Sequence, residues 1–168
     1  VVMAMDRVRK QTGTQEYDPA IDRAREWISG LQSRNGGWAA FDADNTYYYL
    51  NNIPFSDHGA LLDPPTEDLT GRCLSMLAQL GEQRANNPPV EQGLEFLRRT
   101  QHPEGSWYGR WGMNYIYGTW SVLCALNVLG LDQQSPEVRR AVDWLAKIQN
   151  PDGGWGEDGA SYKLDYHG

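Results

Sequence analysis

Four residues near the middle of the chain could do acid–base work together. Asp63, Glu67 and Asp68 form an acidic cluster just ahead of Arg72. Asp68 and Arg72 stand four apart, so a helix through them puts both on one face, where carboxylate and guanidinium can pair. Two readings follow. Thr66 with Glu67 and Asp68 suits a helix start, because acidic side chains favour the positive end, and the pair is then a surface ion pair. Placed inside a closed architecture, the same charges would instead tune a nearby acid. The second chemistry is aromatic. Trp107, Tyr108, Trp111, Tyr115, Tyr117 and Trp120 put six rings into fourteen positions, more than one helix interface needs. Ring faces attract positive charge, so the stretch suits a carbocation pocket, a sugar platform, or plain core packing.

Other chemistries fail on residue type or spacing. His58, His102 and His167 lie far apart without a spaced set of partner ligands, and Asp42-Ala43-Asp44-Asn45 lacks the Gly and Glu of a calcium loop. No metal site is expected. A glycine-rich phosphate loop and a nucleophile elbow are both missing. Lys and Arg number 15 against 22 Asp and Glu, a net charge of −7. That argues against nucleic acid, which needs a basic face to release counterions. Cys73 and Cys124 stand in apolar helical runs and read as small core residues in a reducing compartment. No apolar run nears the roughly 20 residues that cross a bilayer, and no signal peptide is visible. Val1 to Met5 reads as the middle of a buried helix and Asp165 to Gly168 closes nothing, so the 168 residues are expected to be a piece of a longer chain.

What positions these groups is an internal repeat. Segments 21–38, 90–107 and 138–155 align without gaps. Each carries a branched aliphatic residue (Ile21, Val90, Val138), a small residue three later (Ala24, Gly93, Ala141), and an aromatic three further on (Trp27, Phe96, Trp144). Each ends in Q-x3-G-x-W: Gln32, Gly36, Trp38; Gln101, Gly105, Trp107; Gln149, Gly153, Trp155. Apolar residues at this spacing mark one face of an amphipathic helix. The glycine supplies a left-handed stop, and Pro103 and Pro151 cannot continue the helix. Each Gln offers a donor and an acceptor to loose backbone groups at a neighbouring helix end, so the Gln–Trp tails read as scaffold.

A second helix precedes two of these units. Thr70–Gly81 aligns with Thr119–Gly130, pairing Leu74, Leu77 and Leu80 with Leu123, Leu126 and Leu129. The repeat is therefore a helix pair, with helices expected near 1–9, 19–33, 66–80, 89–101, 116–129 and 136–149. Helix pairs bury their apolar stripes against neighbours and can close into a ring. The fold class is all-α. The glutamines lie 48 apart in the last two repeats but 69 apart in the first. The surplus falls within an insertion at 43–66, which suits a lid or an interfacial loop, or an ordered surface loop with buried tyrosines.

The repeated W/F-I/L-x3-Q-x3-G-x-W resembles the QW motifs of triterpene cyclases. Asn35 to Trp38, Asp42 to Thr46, Asn52 to Phe55, Asp63 to Asp68 and Gly105 to Thr119 together resemble bacterial squalene–hopene cyclases over essentially the whole chain. The resemblance implies part of a C-terminal α/α-barrel domain of a two-domain enzyme. That enzyme would be attached to one membrane leaflet on the cytoplasmic side and assembled as a homodimer. It would cyclise squalene to hopene or hopanol without a metal or redox cofactor. A carbocation cannot meet a strong nucleophile without being quenched, so ring faces and dispersed negative charge are the fitting stabilisers.

In that family the central Asp of a DxDD motif protonates a terminal double bond, just before a helix that starts like Val1-Val2-Met3-Ala4. This chain lacks the motif, and Asp42-Ala43-Asp44-Asn45 matches a different family run, so these residues are not the acid and the fragment is expected to be inactive by itself. Carried over by position, Asp63 and Asp68 would support the active site. Arg72 stands where some relatives have a His on the catalytic Asp; a fixed cation would sharpen the donor but cannot shuttle a proton. Tyr117 would join the polar network, Phe41 and Trp111 would line the cavity, and Phe55 and Ser56 would sit at the channel constriction. The alternatives are a cyclase of another long polyprene, or a non-catalytic α/α-toroid module of the kind found in prenyltransferase β-subunits. Those subunits need Asp, Cys and His as zinc ligands, and no Asp-x-Cys spacing occurs here.

Overall fold

The computed structural model describes residues 1–54 and 61–162. Six α-helices carry the described residues: α1 Val2–Thr12, α2 Asp18–Gly30, α3 Glu67–Gln79, α4 Pro88–Thr100, α5 Tyr115–Val128 and α6 Pro136–Lys147. Short 3₁₀ turns add Tyr48–Asn52 and Gly159–Tyr162. Among the described residues there is no strand, only two antiparallel bridges, Trp38 to Thr66 and Asn45 to Asp63. The all-α expectation holds.

α3 and α5 form the centre and pack along each other, with α4 beside α3, α6 beside α5, and α1 touching both α2 and α3. The aligned leucines explain it: Leu74, Leu77 and Leu126 are buried, with Leu80, Leu123 and Leu129 packed at the margin of the same core. Burial follows position along the arc more than residue type. In the middle repeat Val90, Gly93, Phe96 and Leu97 are all buried, whereas Trp27 of the first is 62% exposed against 4% for Phe96. Trp27 lies in an open groove with Val1, Met3 and Ile28.

α1 departs from the expected buried helix in that its buried residue is Asp6. The Asp6 carboxylate accepts from Arg9 (2.9 Å), Lys10 (2.8 Å) and Gln79 (2.7 Å). Burial works against its charge, but these donors outweigh it and hold the carboxyl below its ordinary value. Gln79 also donates to Met3 O at 2.8 Å, so one polar cluster ties α1 to the end of α3.

The Gln–Trp tails act as staples. Gln32 Nε2 donates to Gly36 O (2.7 Å) and Pro89 O (2.9 Å), and Gln101 Nε2 to Gly105 O and Glu137 O, both at 2.9 Å. Each therefore closes its own turn and grips the start of the next outer helix. Trp38, Trp107 and Trp155 donate their indole N–H to the carbonyls of Ile28, Leu97 and Leu145. Gly36 and Gly105 sit at φ 91° and 115°, and a Cβ on either would collide with the backbone of α4 or α6. Only glycine meets both demands. Cys73 is buried as expected, and burial pushes its thiol up to about 12. Cys124 is exposed, contrary to expectation, because it lines an open cavity with Arg72, Trp120 and Val128 instead of entering the core.

Candidate active site

The two ends of the insertion meet at the bridges between residues 38–45 and 63–66, and Asp63 locks the junction. Its buried carboxylate accepts three successive backbone N–H groups, from Ala40 (3.2 Å), Phe41 (2.6 Å) and Asp42 (2.8 Å). Such a nest of amides wraps a turn around an anion. Asp42 and Asp44 serve that turn too. Asp44, at φ 59°, accepts from the Arg34 amide at 2.8 Å, and Asp42 accepts from Asn45 at 3.0 Å. The turn aims the Phe41 ring edge-on at Trp111, with centroids 5.6 Å apart at 89°. Both rings are substantially exposed, at 62% and 40%.

Asp68 lies in the first turn of α3, fully buried. Its carboxylate accepts the Thr66 hydroxyl at 2.5 Å and the Trp111 backbone N–H at 3.1 Å, and its carbonyl accepts the Ser121 hydroxyl at 2.9 Å. Thr66 is the residue before the helix, but its hydroxyl serves Asp68 and makes no cap bond. Thr70 and Thr119, which occupy equivalent repeat positions, accept the backbone N–H of Trp38 and Trp107 at 3.0 and 2.9 Å. Trp38 and Trp107 are thus pinned at both indole and amide. Glu67 beside Asp68 is also buried, and burial, assisted by the neighbouring Asp68 charge, pushes its carboxyl up to about 7.

The expected Asp68–Arg72 pairing does not form among the described residues. Arg72 turns to the rings instead, its guanidinium 4.9 Å from the Trp120 centroid and 5.7 Å from Tyr117. Both carboxylate oxygens of Asp68 already have donors from its own end of the fold, and the exposed Arg72 keeps its charge on the arene faces. Arg110, which sequence reasoning passed over, repeats the arrangement 5.5 Å from Trp111 while donating to Leu62 O at 2.7 Å. Tyr117 is seated against Gly109 and Gly112, where a Cβ would lie 2.6 Å from its ring.

The site residues therefore fall into two joined groups. Asp63, Phe41, Trp111 and Asp68 form one; Arg72, Tyr117 and Trp120 form the other. The glycine-rich loop 108–114 links them. A cavity of about 320 Å³ adjoins the second group, lined by Met3, Arg7, Arg72, Trp120, Cys124 and Val128 among others. Phe55 and Ser56 lie outside the described residues. Trp120 belonged to the aromatic stretch that drew attention in the sequence, but its pairing with Arg72 crosses from α5 to α3 and leaves no spacing to read.

The profile described as "Squalene-hopene cyclase C-terminal domain" matches residues 1–168. A probable squalene–hopene cyclase of Sinorhizobium fredii is 67% identical over the whole of this chain and 26% of its own length. The squalene–hopene cyclases of Bradyrhizobium diazoefficiens and Zymomonas mobilis are 69% and 55% identical, again over all of this chain and 26% of theirs. The chain thus spans about a quarter of the length of these curated relatives. A helix-pair arc with stapled QW tails, a full-length profile match and this degree of identity agree: the chain belongs to the squalene–hopene cyclase family, within its C-terminal α/α-toroid domain.

Proposed function

We propose that the protein containing this chain is a terpene cyclase that protonates squalene and carries the resulting cation through successive ring closures to hopene or hopanol. The observation that carries the reading is that ring faces here already hold cations. Arg72 lies over Tyr117 and Trp120, and Arg110 over Trp111. A face that attracts a guanidinium attracts a carbocation for the same electrostatic reason, and it offers no lone pair to quench it. Trp111 and Phe41 serve as wall. Asp68 holds Trp111 by its backbone, and Asp63 does the same for Phe41 through the 40–42 turn. Both carboxylates fix arenes at set angles, and neither is the proton donor. The donor comes from outside these residues, and Arg72 acts on it as a fixed positive charge that cannot relay a proton.

Attachment to one membrane leaflet belongs to the same reading. Tyr47, Tyr48 and Tyr49 are each at least 60% exposed on the insertion, and amphipathic rings suit a membrane–water boundary. No helix among the described residues is long and apolar enough to cross a membrane. The test is product analysis of the full-length protein incubated with squalene in detergent micelles. Pentacyclic products support the reading. Unchanged squalene, with conversion of a different polyprene, would move the assignment to another cyclase.

A further inference from the structure

The segment after the third repeat has no part in the reading above, yet it is fastened to the loop that presents Trp111. Asn114 precedes α5 and makes no cap bond with its own side chain. The cap comes from Glu157, whose Oε2 accepts the backbone N–H groups of Asn114 at 3.0 Å and Ile116 at 2.9 Å. Burial opposes charge on Glu157, but the amides of Ile116, Asn114 and Tyr115 outweigh it and hold the carboxyl below its ordinary value. Asn114 Nδ2 donates to Ser161 Oγ at 3.2 Å, and Ser161 donates in turn to Asp158 O at 3.0 Å. The Tyr162 hydroxyl lies 3.0 Å from Gly112 O and 3.4 Å from Gly109 O, and its ring meets Tyr108 edge-on at 6.2 Å.

Residues 157–162 and Asp68 thus both tether the loop. The loop needs such tethers. It forms no helix, it carries Gly109 and Gly112, and a chain with two glycines explores many backbone states unless its polar groups are held. Gly109 and Gly112, the carbonyls that Tyr162 holds, are also the seat of the Tyr117 ring. A shift of this strap therefore turns Trp111 and Tyr117 together.

We infer that Glu157 and Tyr162 are positioning residues for the cyclisation. By fixing the angles of Trp111 and Tyr117 they set how many rings close before the cation is lost. This rests on the proposed function, since a wall has meaning only where a cation travels. A displacement of about 1 Å at a reacting centre can cost on the order of 100-fold in rate, and a cation left without its arene loses a proton early.

The test uses full-length protein bearing Glu157→Ala, Glu157→Gln and Tyr162→Phe, labelled with 5-fluorotryptophan, with the Trp111 resonance assigned by Trp111→Phe. Glu157→Ala is expected to shift that resonance and to raise the share of mono- and bicyclic products roughly tenfold. Glu157→Gln keeps an oxygen for both amides and restores most of each effect. Tyr162→Phe loses one hydroxyl and supplies the reading should the alanine variant not fold. A variant whose folded fraction turns over with wild-type product ratios overturns the inference, as does an unmoved Trp111 resonance. If wild-type protein leaves squalene uncyclised, the proposed function fails instead; the strap is then judged on the resonance alone, which needs no turnover.

Discussion

Gln101 and Gln149 hold the same place in the repeat but not the same partners, and their difference can be measured. Gln101 Nε2 donates to two carbonyls, Gly105 O and Glu137 O, each at 2.9 Å, and its oxygen accepts from Arg140. Gln149 is exposed and donates to Gly153 O at 2.7 Å. A neutral hydrogen bond contributes about 1 kcal/mol net, and the contact with the exposed Arg140 adds little in water. Gln101→Ala should therefore cost about 2–3 kcal/mol and Gln149→Ala under about 1 kcal/mol. Gln101→Glu should cost more than alanine, because it aims a carboxylate at two carbonyls while keeping the side chain's shape. Equilibrium urea unfolding of the 168-residue chain, followed by helical circular dichroism, gives the midpoints and slopes. Equal losses at the two glutamines would refute the reasoning, since the extra carbonyl of the next outer helix would then carry no energy.

Glu67 makes stability depend on pH. Its carboxyl is raised from 4.5 to about 7 in the folded protein, so the native state holds a proton that the unfolded chain releases. Stability should be greatest below pH 4.5, fall as pH rises toward 7, and level off above, by up to about 3 kcal/mol from this group. Glu67→Gln should remove that slope, as urea midpoints at pH 5 and pH 8 would register; an unchanged slope in the variant counts against it. Gly109→Ala should cost about 1–3 kcal/mol, because the added Cβ would lie 2.6 Å from Asn114 O and 2.9 Å from the Gly118 amide, both backbone. At Gly112 the three atoms nearest an added Cβ all belong to the Tyr117 ring, a side chain, so Gly112→Ala should cost less. Matched unfolding curves reversing that order would show the loop to be looser than described.

The helices and staples were legible because they rest on local periodicity. Leu74, Leu77 and Leu126 lie on the faces that their spacing assigns, and all three glutamines close their own glycine turn. Burial was less legible. Trp27 and Phe96 share a repeat position yet differ in exposure, since burial depends on what packs against that place in the arc. Cys124 departs from expectation for the same reason. The candidate site was legible as a list of residue types and obscure as a set of partnerships. A spacing of four suggested Asp68 with Arg72, but Thr66 and the Trp111 amide claim Asp68, and α5 brings Trp120 to Arg72 from 48 positions away in sequence. Asp63 and Glu157 act on backbone amides, which every residue type but proline supplies, so no pattern of side chains announces those partners.

The most direct measurement is binding of a squalene analogue whose tertiary ammonium nitrogen stands where a ring-forming cation would lie, compared between the full-length protein and its Trp111→Ala variant. A cation–arene contact is worth about 0.5–2 kcal/mol. The variant should therefore bind the charged analogue roughly 3- to 30-fold more weakly while binding the uncharged carbon isostere almost unchanged. Equal weakening for both would make Trp111 an oily surface only, and no weakening for either would remove it from the cation's path.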